Sequence, residues 1–503
     1  MSPFSRFTAA ATEYHQHHDF LQGLRMAQDS PIAPSRPVFV PVEPSIFSRE
    51  WWEWKRLRGG VGIGRKEGDF RASHHDQTHR PPACYRVPSL ATLSPTSLLA
   101  FAEARHVTCS DHAITGIVMR RSDTTGLEWS DPVYVVPPLW PAGNPTTLVD
   151  HGWYITPAVS PIPSPTSSTT SSTTPSPTAV PPSPHHPYTP TATLTPTPTF
   201  SPTPLPVPTV HLYYAQAGDL FTIASMDRGL TWTTPRNLSA LLGTSYRGAL
   251  PGPGNALVTP SGRYVVPLHY ATAQRTTGTA LTLYSDDQGH TYHLSTTEPN
   301  TLLDRMDESS VVHVVNRTLA MYMRNANTSC TCKARAVSHD EGTTWASSSP
   351  ETGLVYEPQL AEPICEGSAT RIGSTLLYTG PNMRHARSNL AVWTSSVSSF
   401  DPDTPSEWTV HPVVDDSVYS GYSAVSDRWV GVDQPQPSSS HETTPSNEPK
   451  EPIKRVAVLW EGCRYPMPFR VWCFGGWGIW VSLVDVGGGQ EHESGQDNPQ
   501  ARE

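Results

Sequence analysis

Three aspartates recur inside one eight-residue pattern, and the pattern says what their carboxylates do. They stand in Ser225-Met-Asp227-Arg-Gly229-Leu-Thr231-Trp232, Ser285-Asp-Asp287-Gln-Gly289-His-Thr291-Tyr292 and Ser338-His-Asp340-Glu-Gly342-Thr-Thr344-Trp345, all of the form S-x-D-x-G-x-T-[W/Y]. An aspartate so placed folds its carboxylate onto nearby backbone amides, the glycine supplies a turn position with φ > 0, and the aromatic tucks beneath the hairpin. That chemistry is structural: these aspartates fasten turns. Cysteine is the other reactive type. The seven (Cys84, Cys109, Cys330, Cys332, Cys365, Cys463 and Cys473) are odd in number and lack metal-site spacing, Cys330-Thr-Cys332 being too tight for a usual zinc knuckle. Most are expected to be free buried thiols. No metal or other cofactor is expected.

The pattern starts lie 60 and 53 residues apart, the period of a small sheet repeated as a propeller blade. Degenerate copies flank the three, at Ser122-Asp-Thr-Thr-Gly126-Leu-Glu-Trp129 and in a looser stretch ending Glu407-Trp408. Short β-rich runs such as Val210-His-Leu-Tyr-Tyr214, Tyr264-Val-Val-Pro-Leu268 and Leu319-Ala-Met-Tyr-Met323 fill the intervals, bounded by Gly, Pro, Asn and Asp. No convincing amphipathic helix is found. The fold class is therefore all-β, a propeller.

Composition adds disorder to that propeller. The chain has 503 residues, of which 53 are proline, too many for one packed domain, and a propeller needs roughly 350–400. The expected organisation is an irregular segment 1–36, a propeller over 37–486 and a disordered tail 487–503. Inserts interrupt the propeller at 48–82, 157–209 and 433–451. Residues 157–209 lack Asp, Glu, Lys and Arg and are mostly Ser, Thr, Pro and Ala, a composition like an O-glycosylated stalk. A formal net charge of −10 argues against nucleic acid as a partner. No run of 18 apolar residues exists, so no transmembrane segment is expected, and a monomer is. Sequons at Asn237, Asn316 and Asn327 and the stalk-like insert favour a secretory, lysosomal or membrane-associated location, whereas the lack of a signal-like N-terminus allows a cytoplasmic one.

The repeated pattern is the Asp box, or BNR repeat, and with it the chain resembles the sialidase (neuraminidase) family of six-bladed β-propellers. The resemblance covers about residues 85–145 and 210–462. It implies a site for sialic acid, a sugar whose anomeric carbon bears a carboxylate. Arginine offers a bidentate fork to such a group, and the family draws three from distant blades. The family's Y/F-R-I-P motif is similar to Tyr85-Arg86-Val87-Pro88, its second arginine to Arg324 in Met323-Arg324-Asn325, and its third to Arg387 in Arg387-Ser-Asn-Leu390, with Arg384 a rival. An anionic nucleophile would be repelled beside that carboxylate, so the family uses a neutral tyrosine with a carboxylate base. The resemblance puts these at Tyr422 (with Tyr419 as a competitor) and at Glu308. Asp307 and Glu308 are neighbours on an expected strand, so only one should point into the funnel. Asp111, in the loop after Phe101-Ala-Glu-Ala-Arg105, matches the family's acid/base catalyst. Arg105 is expected near it or near the sugar carboxylate, and Asn144 of Gly143-Asn144-Pro145 near the N-acetyl pocket.

Two departures from the family are expected. The Ser/Thr/Pro insert between Asn144 and Tyr213 should cost the second blade some of its strands. After Trp460-Glu461-Gly462-Cys463 the Trp-rich stretch should lack the usual final strands, leaving ring closure in doubt. The resemblance implies an exo-α-sialidase acting on terminal sialic acid of glycoproteins, glycolipids (gangliosides) or oligosaccharides. A sialic-acid-binding propeller without catalysis and a sialyl-transferring or KDN-preferring relative are the alternatives.

Overall fold

The computed structural model describes residues 35–40, 81–138, 141–152, 207–271, 278–296, 306–326, 329–345, 354–414, 418–431, 454–466 and 473–486. Among these there is no α-helix, and the strands form six antiparallel sheets, the blades of one propeller. Blade I comprises Cys84–Thr92, Leu98–His106, Ile114–Ser122 and Val133–Val136. Blade II holds Ala142–Asp150, Thr209–Gln216, Asp219–Ser225 and Arg236–Asn237, with Gly254–Asn255 pairing in parallel on its first strand. Blade III is built on Tyr264–Ala271 and Gly278–Ser285. Blade IV runs from Met306–Val315 through Thr318–Asn325 and Cys332–Ser338 to Val355–Ala361. Blade V is Ser368–Ile372, Thr375–Pro381, Leu390–Ser396 and Thr409–Pro412. Blade VI is Ser420–Val425, Arg455–Pro466 and Cys473–Asp485, completed by the N-terminal strand Arg36–Phe39.

Six apolar clusters hold the ring, one in each seam between neighbouring blades. Because successive side chains on a strand face opposite ways, one strand feeds two seams. In Leu98–His106, Leu98, Ala100, Ala102 and Ala104 face blade VI, while Leu99 and Phe101 face blade II. The last seam closes through Val38, Phe39, Ala457, Leu459, Ile479 and Val481 against Tyr85, Leu90 and Leu98. Both expected defects are thereby corrected. Residues 473–485 are a full strand, and blade II has its strands because the insert leaves from a hairpin rather than replacing one. The expected inserts at 48–82, 157–209 and 433–451 and both ends fall almost wholly outside the described residues, although the strand after the second insert already begins at Thr209.

Each Asp box lies on the turn between the third and fourth strands of its blade. In the first, Ser225 Oγ donates to Asp227 Oδ1 (2.8 Å) and accepts from Gly229 N (2.8 Å). Thr231 N donates to Asp227 Oδ1 (2.9 Å). The glycines take φ of 81°, 85° and 83° at Gly229, Gly289 and Gly342, where a Cβ would be strained. The box aromatic does more than sit under its own turn. Trp232, Tyr292, Trp345 and Trp408 each plug the seam toward the preceding blade, Trp232 meeting Phe101 edge-on at 5.8 Å.

Asp150 pairs with Thr209 across the first two strands of blade II, so the chain leaving at Gly152 and the chain returning at Val207 are neighbours. Replacing residues 153–206 with a four-residue turn should leave a folded propeller. Shortening the loop lowers the closure entropy by about 2 kcal/mol, so Tm should be unchanged or slightly higher by calorimetry. Loss of soluble protein would show that the segment supplies packing to the blades.

Candidate active site

The candidate site residues cluster near the starts of innermost strands: Arg86 in blade I, Asn144 in blade II, Glu308 in blade IV and Tyr422 in blade VI. All four strands break register there, between Arg86 and Ser89, Gly143 and Thr146, Met306 and Ser309, and Ser420 and Ser423. Bulges re-aim side chains, and one result overturns the expectation of strict alternation. Both Glu308 and Asp307 approach Arg324, at 2.6 Å and 3.7 Å. Val87 sits at φ 54°, costly for a β-branched residue. Its N–H donates to Glu461 Oε1 (2.7 Å), so this strained turn is held by the same carboxylate that orients Arg86.

At the centre, the Tyr422 hydroxyl donates to Glu308, with oxygens 2.5 and 2.6 Å away. Arg324 Nη1 donates to both partners, to Glu308 Oε2 at 2.6 Å and to the Tyr422 oxygen at 2.9 Å. Both acidic groups are buried, Tyr422 at 7% exposure and Glu308 at 8%. Burial, and then the Glu308 charge, raises the phenol well above its usual pKa near 10. Burial alone would raise Glu308 as well, but the Arg324 charge, with His269 and the Tyr422 hydrogen bond, brings it below the usual carboxylate range. The proton therefore rests on Tyr422 beside an ionised Glu308.

Two further guanidinium groups flank the same ring, Arg387 with Cζ 5.5 Å and Arg86 with Cζ 6.0 Å from its centroid. Arg86 Nε donates to the buried Glu461 (2.8 Å), and Arg387 Nη2 donates to the Ile364 carbonyl (2.6 Å). The rivals are occupied elsewhere. Arg384 donates to the carbonyls of Cys330, Thr331 and Pro358, and Tyr419 packs its ring 4.3 Å from Trp477.

On the blade I side, Arg105 Nε and Nη2 donate to Glu103 Oε2 (2.8 and 2.6 Å), while Nη1 donates to Asp111 Oδ1 (2.6 Å). Glu103 Oε1 accepts from Asn144 N (2.9 Å), and the Asn144 side-chain amide donates to the Pro251 carbonyl (3.0 Å). A Cβ at Gly143 would come within 2.6 Å of Glu103 Oε1, so the glycine of the G-N-P segment allows this approach. Asp111 lies on an exposed loop, its side chain 82% accessible. Partial shielding would raise its pKa, but the Arg105 charge and hydrogen bond, followed by the Arg86 and His112 charges, outweigh that and lower it.

The cysteine expectation is corrected here. Cys84 and Cys109 form a disulfide (Cα–Cα 5.7 Å) that ties the Asp111 loop to the Arg86 strand, and Cys330 and Cys332 form another. Cys463 is also disulfide-bonded, and among the described residues Cys365 is the free thiol, buried. Spacing in sequence gave no sign of the first bridge. The sheet register makes it, by setting Cys84 opposite Arg105.

Residues outside the expected set support the site. Glu461 is one, its carboxylate taking Arg86 as well as the backbone N–H groups of Val87 and Tyr422. Its only sign in sequence is a charge ending the apolar run Val456–Trp460. The buried pair Lys333–Glu362 (2.5 Å) is another. Glu362 accepts from Asn325 N (3.0 Å) and Cys365 N (2.6 Å), bracing the residue after Arg324 and the loop that carries Ile364. Among the described residues, no group of three His, Cys, Asp or Glu side chains could hold a metal ion.

Comparison with known proteins agrees with this architecture. A BNR repeat-like domain family matches residues 207–428. The chain carries BNR repeats on a sialidase-type propeller. Human Sialidase-4 is 30% identical over 166 residues, a stretch covering 30% of this chain and 33% of that protein. The chain thus spans about a third of the length of the curated relative it matches. In three dimensions it is similar to the Hadza microbial sialidase Hz136 (TM-score 0.53, 16% identity, 82% of this chain and 67% of the other). It is also similar to NanB sialidase from Streptococcus pneumoniae (TM-score 0.51, 13% identity, 86% and 72%). At these identities the likeness is one of fold. No helix among the described residues is long and apolar enough to cross a membrane.

Proposed function

We propose that the protein is an exo-α-sialidase that releases terminal α-linked sialic acid from glycoproteins, glycolipids or oligosaccharides with retention of configuration. The observation that carries this reading is the Tyr422–Glu308–Arg324 constellation, a buried phenol hydrogen-bonded to an ionised carboxylate and bridged by a guanidinium. Arg86, Arg324 and Arg387 take the sugar carboxylate. As the Tyr422 oxygen bonds to the anomeric carbon its proton passes to Glu308, and the glycosidic C–O bond breaks as Asp111 protonates the departing oxygen. In the second step Asp111 takes a proton from water, the water oxygen bonds to the anomeric carbon, and the Tyr422 oxygen leaves and recovers its proton from Glu308. Asn144 and the Glu103–Arg105 pair hold the rim beside Asp111.

Purified protein should release fluorophore from an aryl sialoside, and parallel assay of the KDN analogue and of an added acceptor glycan distinguishes sugar preference and transfer. Binding of sialic acid without any turnover would replace the enzyme by a lectin. The pH profile carries a further prediction. The acid step needs protonated Asp111, whose pKa is lowered, while the first step needs ionised Glu308, whose pKa is also lowered. Activity should thus fall as pH rises through the Asp111 pKa, placing the optimum of kcat/KM on the acid side of neutrality. An optimum above neutral pH would remove Asp111 from the acid role.

A further inference from the structure

Trp477 belongs to the hairpin of blade VI that continues past the innermost strand. The innermost strand's terminal pair in this direction is Ser420 with Gly462, whereas the hairpin goes on pairing through Cys463 with Trp477 to Pro466 with Cys473. The extension brings Trp477 onto Arg86, whose Cζ lies 5.0 Å from the indole centroid and 6.0 Å from that of Tyr422. Tyr419 braces the indole at 4.3 Å and 72°. The Arg86 guanidinium thus has two aromatic neighbours and one carboxylate, Glu461, on Nε. Among the described residues its side-chain hydrogen bond is the one from Nε to Glu461, and the side chain remains 14% accessible.

We propose that Trp477 is a positioning residue for Arg86, holding the guanidinium in one plane so that the outer fork meets an incoming carboxylate already oriented. The inference rests on the sialidase reading for the identity of that carboxylate, and on geometry alone for the clamp. A cation between aromatic faces loses rotational freedom and gains attraction from the ring quadrupoles. A bidentate acceptor rewards a fixed fork because less order is imposed on binding.

Calorimetric titration with the didehydro-deoxy analogue of N-acetylneuraminic acid tests it. Trp477→Leu, which keeps an apolar filler but no π face, should weaken binding about 5- to 20-fold, and Trp477→Phe less than about 3-fold. KM should rise with kcat nearly constant. In an Arg86→Ala background Trp477→Leu should add nothing, as a double-mutant cycle requires of a residue acting through Arg86. The same loss in both backgrounds, or no loss in either, overturns the proposal. A second readout is independent of ligand: hydrogen exchange at the Arg86 Nε–H, assigned by its disappearance in Arg86→Ala, should accelerate in Trp477→Leu. If the wild type binds no analogue, the sialidase reading falls, and Nε–H exchange alone decides the clamp, unchanged exchange refuting it.

Discussion

Tyr422→Phe should abolish covalent trapping by a fluorinated sialoside and lower kcat by at least on the order of 10³-fold, while leaving affinity for a sialic acid analogue within a few-fold. The substitution removes one oxygen and keeps the ring that Arg86 and Arg387 flank. Glu308 keeps its ion pair with Arg324, so no buried charge is stranded and Tm should hardly move. Tyr419→Phe serves as the internal control, because that ring packs on Trp477 rather than on a carboxylate base. Intact-mass spectrometry reads both variants. A labelled adduct on Tyr422→Phe, or its loss on Tyr419→Phe, would move the nucleophile elsewhere.

Arg324→Ala should be as damaging to turnover and far more damaging to the site itself. Arg324 is at once a candidate ligand for the sugar carboxylate, the main charge holding Glu308 ionised and a donor to the Tyr422 oxygen. Truncating one member of a buried charge pair costs about 2–5 kcal/mol, or roughly 30- to 5,000-fold in kcat/KM. Without the guanidinium, the Glu308 pKa rises. The acid limb of kcat/KM, set by the need for ionised Glu308, should therefore shift to higher pH. Arg86→Ala should show a similar loss of affinity without that shift, since its carboxylate partner is Glu461. Wild-type affinity for a carboxylated analogue in either variant would remove that arginine from the carboxylate pocket.

The propeller was legible in sequence because its repeat is local. An Asp box is fastened by atoms within seven residues of one another, so Ser225, Asp227, Gly229 and Thr231 show their structural role in the pattern itself. The strand runs were equally plain, since a strand packed on both faces must be apolar at consecutive positions. The site was legible only as far as motif resemblance reached. Arg86, Arg324 and Arg387 come from three blades, and nothing in their spacing reports that they surround one tyrosine. The bulges were hidden, since Met306–Ser309 reads as ordinary strand, and so the shared approach of Asp307 and Glu308 to Arg324 could not be foreseen. The tryptophan-rich stretch misled for the opposite reason. Trp477 and Trp480 look foreign beside the regular blades because their partners, Arg86 and the strand Arg36–Phe39, lie at the other end of the chain.

That last pairing sets a clock on biogenesis. Phe39 docks beside Ile479, and Arg36 beside Val481, so the ring cannot close on a ribosome until the strand Cys473–Asp485 has been made. At synthesis rates of about 5–20 residues per second, blade I and its short N-terminal strand wait on the order of 20–90 s with one seam unfilled. Through that interval Leu98, Ala100 and Ala102 present a bare apolar face to the cytoplasm or lumen around them. The nascent chain, more than the closed propeller, should therefore be the form that needs a chaperone.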